Sequence, residues 1–239
     1  MKVQGTRCYN KDMETPVTPS ERLKVELELA KPLVDASEVW VADFRKRLAA
    51  LPTEKQTLPA VSSFFLLWSF HLLKGVCALV GLKMYSAALL LLRSLIEAHL
   101  ELSFILYQDC ERRSCEYLSA GKENRSPYRE RPGFEAYGSL GKRSNKCGLG
   151  ELYHKTYLSL CNYSHLRVRG ALAFDPDSEK CLEEARACLI VGEGIFARMA
   201  IELSKFFAFP VPQELLQKYS SAISRYQTLI RQQEKKLAK

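Results

Sequence analysis

The chain has 239 residues, 47% of them hydrophobic, and a formal net charge of +8. This composition excludes an intrinsically disordered chain, and the length allows one large domain or two small ones. The positive charge favours an anionic partner such as RNA, DNA or an acidic protein, although a basic surface also serves solubility alone.

The N-terminal segment, residues 1–17, is predicted to be flexible. It carries basic residues but no apolar stretch, so we do not expect a secretory signal. The eight cysteines form no CxxC pair and are spread through apolar segments, which argues against a zinc site and against a disulfide framework. We therefore expect a cytoplasmic protein with reduced thiols and without a bound metal or other cofactor.

A helical bundle is predicted for residues 18–239, because helical periodicity runs through most of the chain and alternating strand patterns are absent. Thr18 and Glu21 have the spacing of a capping box at the start of the first helix, which runs to about Ala50 and contains Pro32. Further helices are predicted at residues 61–79, 83–107, 151–164, 178–207 and 212–239, and the second of these could continue in a bent form to Leu118.

The predicted fold is therefore all-α, a single helical bundle of five to seven helices with its core at about residues 61–207. Residues 121–150 are rich in glycine, proline, serine and both charge signs, which predicts a long basic loop. Residues 62–107 are the most apolar, but polar side chains interrupt them before the ~20 apolar residues of a membrane-spanning helix are reached. We expect two buried helices there and no membrane.

Charged side chains interrupt the centre of this apolar segment, where residues 93–99 read RSLIEAH. Arg93 and Glu97 are four residues apart on one helix face and can pair, while His99 projects to a different side. Two interpretations stay open. The pair either satisfies itself as a structural device in the core, or it forms part of a functional site.

A second polar cluster lies near the end of the helix predicted at 151–164. Its hydroxyl, imidazole and guanidinium side chains fall within seven residues: Tyr163, Ser164, His165, Arg167 and Arg169. A histidine and arginines at a helix C-terminus also interact favourably with the helix dipole, so helix capping alone is the competing interpretation.

Together the two motifs resemble a known group of proteins. RSLIEA on a central apolar helix, followed about seventy residues later by Tyr-Ser-His at a helix end, resembles an uncharacterised bacterial all-helical family that is broadly similar to the HEPN (higher eukaryotes and prokaryotes nucleotide-binding) class. HEPN proteins are commonly ribonucleases of toxin–antitoxin or phage-defence systems, usually dimeric, with an arginine and a histidine separated by four to six residues. Arg93 and His99 fit that spacing.

The resemblance implies a metal-independent ribonuclease, in which a base takes the proton of a ribose 2′-hydroxyl and a cation binds the phosphate. His165 or His99 would be the base and Arg93 the cation, with Glu97 orienting it. Tyr163 and Ser164 would donate hydrogen bonds. Further basic and aromatic residues would contact the RNA backbone and bases: Arg167, Arg169, Arg125, Arg129, Arg131, Lys142, Arg143, Tyr128 and Tyr137.

The competing hypothesis is a non-catalytic helical module, such as an adaptor, an antitoxin-like inhibitor or a regulatory subunit. In the basic C-terminal helix, Ile223, Tyr226, Leu229 and Ile230 form an apolar stripe suited to docking a protein partner. A third hypothesis is a small-molecule pocket lined by Arg93, Glu97 and His165. The chain has no Walker A, GxGxxG, HExxH or GxSxG motif, which lowers the odds of the corresponding enzyme classes.

Overall fold

The computed structural model describes residues 18–52, 56–122, 138–158, 160–161 and 176–237. Within these ranges the protein is all-helical and contains no β-strand, so the predicted fold class is confirmed. The described elements are α1 (Pro19–Ala49), α2 (Thr57–Gly81), α3 (Tyr85–Tyr107), α4 (Cys110–Lys122), α5 (Leu140–Lys146), α6 (Gly150–Leu152), a π turn (Tyr153–Tyr157), α7 (Glu179–Phe207) and α8 (Gln213–Leu237).

The first helix begins as its sequence predicts. The Glu21 backbone N–H donates to Thr18 Oγ1 at 3.2 Å, and the Thr18 backbone N–H donates to Glu21 Oε2 at 2.9 Å. This reciprocal capping box satisfies two backbone donors that the first helical turn leaves without partners. Pro32 lies inside α1, which continues past it to Ala49.

The core lies between α2, α3 and α7, which pack against one another, while α1 covers α2 and α7, and α8 covers α7. The α2 helix is also the one described helix that is long and apolar enough to cross a membrane, with a mean hydropathy of 1.7, and 44% of that window is buried. Burial against α1, α3, α4 and α7 is what a core helix shows. The expected absence of a membrane contact stays a prediction.

Two details of the predicted bundle are not confirmed. The described residues form eight α-helical segments and a π turn, rather than five to seven helices. The long basic loop expected at residues 121–150 contains α5 and the first residue of α6, while residues 123–137 lie outside the described residues. The short helices α5 and α6 escaped prediction because seven residues or fewer show too little periodicity, while α4 lies where the prediction allowed a bent continuation of the preceding helix.

The contact between α7 and α8 depends on a glycine. A Cβ atom added at Gly194 would lie 2.6 Å from Tyr226 Cβ and 2.9 Å from Tyr226 Cγ, well inside van der Waals contact. Tyr226 is only 5% exposed and belongs to the core, so its ring has little room to move. Gly194 therefore sets how closely the two helices approach.

We predict that Gly194→Ala lowers the free energy of unfolding by about 1–3 kcal/mol, because the added methyl group overpacks this contact. The matched control is Gly81→Ala at the last residue of α2, where the added Cβ meets no atom within 4 Å. The control should be neutral or stabilising by up to about 1 kcal/mol. Urea denaturation followed by circular dichroism measures both, and equal stabilities of the two variants would contradict the close contact.

Candidate functional site

Arg93 lies where α3 packs against the π turn. Its Cζ atom is 5.6 Å from the centre of the Tyr157 ring, and its guanidinium also hydrogen-bonds with Tyr157. The Tyr157 hydroxyl donates to Glu97 Oε2 at 3.3 Å. Tyr157 thus links the predicted arginine and glutamate, which are four residues apart on α3.

This arrangement keeps Arg93 charged and positioned. Burial opposes the charged form, but the hydrogen bond to Tyr157 and the negative charge of Glu97 outweigh it, so the pKa of Arg93 is raised. The pKa of Tyr157 is also raised, mainly because this side chain is buried, and its hydroxyl stays protonated. Both Arg93 and Glu97 are half-buried, so the cation is held by neighbours and still reaches the surface.

His99 lies on a different face of α3, as the helical spacing predicts, and contacts α7. His99 is 2% exposed, and its Nδ1 atom is 4.0 Å from Glu202 Oε2 and has no hydrogen-bond partner among the described residues. Ser103 Oγ donates to the same Glu202 oxygen at 3.1 Å. Burial, together with the positive charge of Arg198, lowers the pKa of His99 to about 4. His99 is therefore a neutral, sealed side chain at neutral pH.

The Tyr-Ser-His cluster lies outside the described residues, as do most of the predicted backbone-contacting side chains. They are Tyr163, Ser164, His165, Arg167, Arg169, Arg125, Arg129, Arg131, Tyr128 and Tyr137. Their assignment as site residues stays a prediction. The last described residue before the cluster is Cys161, which interacts electrostatically with Arg93.

The prediction that Arg143 contacts RNA from a loop is corrected by the structure. Arg143 is buried in α5, and its Nη2 atom donates to Glu101 Oε1 at 2.6 Å. Its guanidinium also lies 5.6 Å from the centre of the Phe104 ring. A buried guanidinium needs an anionic partner, and Glu101 on α3 supplies it. The adjacent Lys142 is exposed, as a solvated or RNA-facing residue would be.

The C-terminal stripe predicted for docking is occupied within the chain. Tyr226 is buried in the core, and Ile223, Leu229 and Ile230 are half-buried against it, where α8 packs on α7. The apolar periodicity was correctly recognised, but the surface that it covers belongs to the same chain.

Sequence reasoning missed the deepest ionic cluster of the protein. Arg225 on α8 hydrogen-bonds to Glu26 on α1 and donates to Glu193 Oε2 on α7 at 2.5 Å, and Arg186 donates to Glu26 Oε1 at 3.3 Å. Glu193 is 0% exposed, and burial raises its pKa to about 7 despite the nearby Arg225 charge. No sequence motif reveals this cluster, since its members come from three separate helices.

The described part of the chain gives little support for metal binding or for thiol chemistry. Across residues 18–52, 56–122, 138–158, 160–161 and 176–237, no group of three histidine, cysteine or acidic side chains is placed to hold a metal ion. The seven described cysteines are free thiols. Burial raises the pKa of Cys147 to about 11, so this thiol is not activated as a nucleophile.

Comparison with protein-family models, with curated proteins and with solved structures finds no match for this chain. The resemblance to the HEPN class therefore stays a prediction. What the chain does has to be inferred from its own side chains.

We predict that His99 titrates with a pKa well below 6.5 and makes stability depend on pH. The unfolded chain takes up a proton at His99 from about pH 6.5 downwards, while the folded protein does so only near pH 4. Between these values the unfolded state binds more protons, so the contribution of His99 to stability is lost as pH falls. NMR titration measures the pKa directly, with His99→Gln to assign the signal. A value above 6 would show that His99 is not sealed in the core.

Proposed function

We propose that this protein is an RNA-directed effector of HEPN-like type, a metal-independent ribonuclease of a bacterial toxin or phage-defence system, in which Arg93 binds the phosphate. The observation that carries the proposal is the position of Arg93. Its half-buried guanidinium is held by Tyr157 beside Cys161, at the point where the chain leads into Tyr163, Ser164 and His165. A cytoplasmic homodimer is part of the same proposal.

Chain connectivity supports bringing His165 to Arg93. Ser164 and His165 follow Cys161 by three and four residues, and an extended chain spans at most about 3.6 Å per residue. His165 therefore lies within roughly 14 Å of Cys161 by covalent geometry alone. Cys161 interacts electrostatically with Arg93, and we propose that the segment after it brings the His165 imidazole and the Arg93 guanidinium to one phosphodiester.

The choice of base favours His165 over His99. A general base has to reach the ribose 2′-hydroxyl and to titrate near the working pH. His99 is 2% exposed and its pKa is about 4, so it is both out of reach and too weakly basic. Among the two predicted histidines, His165 is the one that the known geometry does not disqualify.

The proposed reaction needs no metal. The neutral imidazole of His165 accepts the 2′-hydroxyl proton, and the 2′-oxygen attacks the adjacent phosphorus. The bond from phosphorus to the 5′-oxygen breaks, which leaves a 2′,3′-cyclic phosphate on one fragment. A proton from solvent or from the imidazolium completes the 5′-hydroxyl of the other fragment. Arg93 donates to the phosphate oxygens as negative charge builds on them.

A second candidate function is a non-catalytic binding module, and one observation favours it. Tyr157 and Glu97 already satisfy Arg93 within the chain, as they would if the three residues only fastened the π turn to α3. In that case Arg93 would hold the fold, and a protein or RNA partner would bind elsewhere on the basic surface.

The test is cleavage of a mixed RNA pool in EDTA. We predict that the wild-type protein cleaves and that Arg93→Gln and His165→Gln each slow cleavage by about 100-fold or more, because they remove the phosphate ligand and the base. The His99→Gln variant distinguishes the two histidines, because a loss of cleavage in this variant would identify His99 as the base.

The matched control is Arg47→Gln, which removes one positive charge from the exposed part of α1, where Arg47 pairs with Asp43. It should cleave at the wild-type rate. Circular dichroism checks that each variant is folded. A wild-type protein that does not cleave, together with an unfolded Arg93→Gln variant, would support the structural role of Arg93 and the non-catalytic module.

A further inference from the structure

A cleft lies beside the π turn, and Arg93 is not part of its lining. It opens between α6, the π turn, α7 and α8 and has a volume of about 310 Å³. Its polar lining includes Lys155, Thr156, Arg198, Gln227 and Arg231. Leu152 and Ile230 supply apolar walls. A cleft of this size, with apolar walls and a few converging polar groups, has the character of a small-molecule site.

Arg198 is the distinctive side chain of this cleft. Its Cζ atom lies 4.9 Å from the centre of the Tyr226 ring. Tyr226 is 5% exposed and hydrogen-bonds with Thr156, so the ring beneath the guanidinium is fixed. Within the described residues, no hydrogen bond or ion pair engages Arg198. Arg198 lines the cleft, and the described part of the chain supplies no acceptor for its guanidinium.

The other half-buried or buried arginines of α5, α7 and α8 have carboxylate partners. Arg143 pairs with Glu101, Arg186 with Glu26, and Arg225 with both Glu26 and Glu193. The energetic reason is that a guanidinium removed from water needs an anion to offset its desolvation. Arg198 is half-buried and differs from them. An anion from outside the chain would offset the desolvation of the Arg198 guanidinium.

Most of the charged side chains around the cleft are positive. Arg198, Arg231 and Lys155 line it together with a single carboxylate, that of Glu151. Glu151 Oε1 already accepts from Lys155 Nζ at 2.5 Å. The two arginines therefore remain to bind a ligand, and their planar donor groups suit phosphate oxygens.

We propose that this cleft binds a small phosphate ester. Arg198 and Arg231 donate to the phosphate oxygens, Gln227 and Thr156 bind neutral polar groups, and Leu152 and Ile230 contact the organic part of the molecule. The cleft volume fits a single small molecule, whereas an RNA strand would need a groove that continues beyond it. This site uses none of the residues of the proposed ribonuclease site and does not depend on that function.

Isothermal titration calorimetry with phenyl phosphate tests the proposal, because this compound combines a dianionic ester with a small apolar body. We predict saturable binding to the wild-type protein. The affinity should fall by about tenfold or more in Arg198→Gln and in Arg231→Gln. Phenol, which lacks the phosphate, should not bind. Arg231 is exposed, so Arg231→Gln tests the site even if Arg198→Gln does not fold.

The matched control is Arg112→Gln, which removes one positive charge from the exposed part of α4, where Arg112 pairs with Asp109. Its affinity should equal that of the wild-type protein. No saturable binding to the wild-type protein, or wild-type affinity in Arg231→Gln and in folded Arg198→Gln, would overturn the proposal. Loss of binding in Arg93→Gln would place the compound at the other site and also overturn it.

A final arm separates a small ester from RNA. A single-stranded RNA oligonucleotide is titrated into the complex with phenyl phosphate. Failure to displace the ester supports a small-molecule cleft. Displacement that is lost in Arg231→Gln would make the cleft part of an RNA-binding surface and overturn the small-ester assignment.

Discussion

The buried carboxylate of Glu193 is the constraint on which the helix packing depends. Glu193 lies in the middle of α7 and is 0% exposed, and Arg225 on α8 partly offsets the effect of burial, which raises the pKa of this carboxyl. Arg225 also bonds to Glu26 on α1. Removing one member of such a cluster typically costs about 3–5 kcal/mol, because it leaves a buried charge without a partner. The cluster therefore links α1 and α8 to α7 through charged hydrogen bonds.

The π turn has a similar role nearer the surface. Its residues Thr156 and Tyr157 are adjacent in the chain and project in different directions, as neighbouring helical residues do. Tyr157 contacts Arg93 on α3, while Thr156 hydrogen-bonds with Tyr226 on α8. The π turn thus positions Arg93 directly, through Tyr157. Through Thr156 it also positions the Tyr226 ring, against which Arg198 lies. Wide turns of this kind are rare and are often found at functional sites.

Four buried or half-buried arginines of the structure differ in what surrounds their guanidinium groups. Arg143 and Arg225 donate to carboxylates from distant helices and hold the fold together. Arg93 and Arg198 instead lie against tyrosine rings at half-buried positions. A tyrosine ring orients a guanidinium without neutralising it. Arg93 also interacts with the Glu97 carboxylate, whereas no described carboxylate pairs with Arg198, and this difference supports assigning ligand binding to Arg198.

Local interactions let the sequence alone determine the long helices. The capping box of Thr18 and Glu21, and the N-cap Ser178 that opens α7, involve residues three apart, and their geometry follows from the helix itself. The all-α fold class and the separate directions of Arg93 and His99 follow from the same periodicity. Only the tertiary structure decided which polar side chains are buried in contacts that hold the fold together.

The reason is distance along the chain. Arg143 meets Glu101 across 42 residues, and Arg225 meets Glu26 across 199 residues, so neither pairing leaves a local pattern. For His99, the sequence indicated the helix face but not that α7 would seal it and lower its pKa. Helical spacing determines which way a side chain points, and the packing of other helices determines what it meets there.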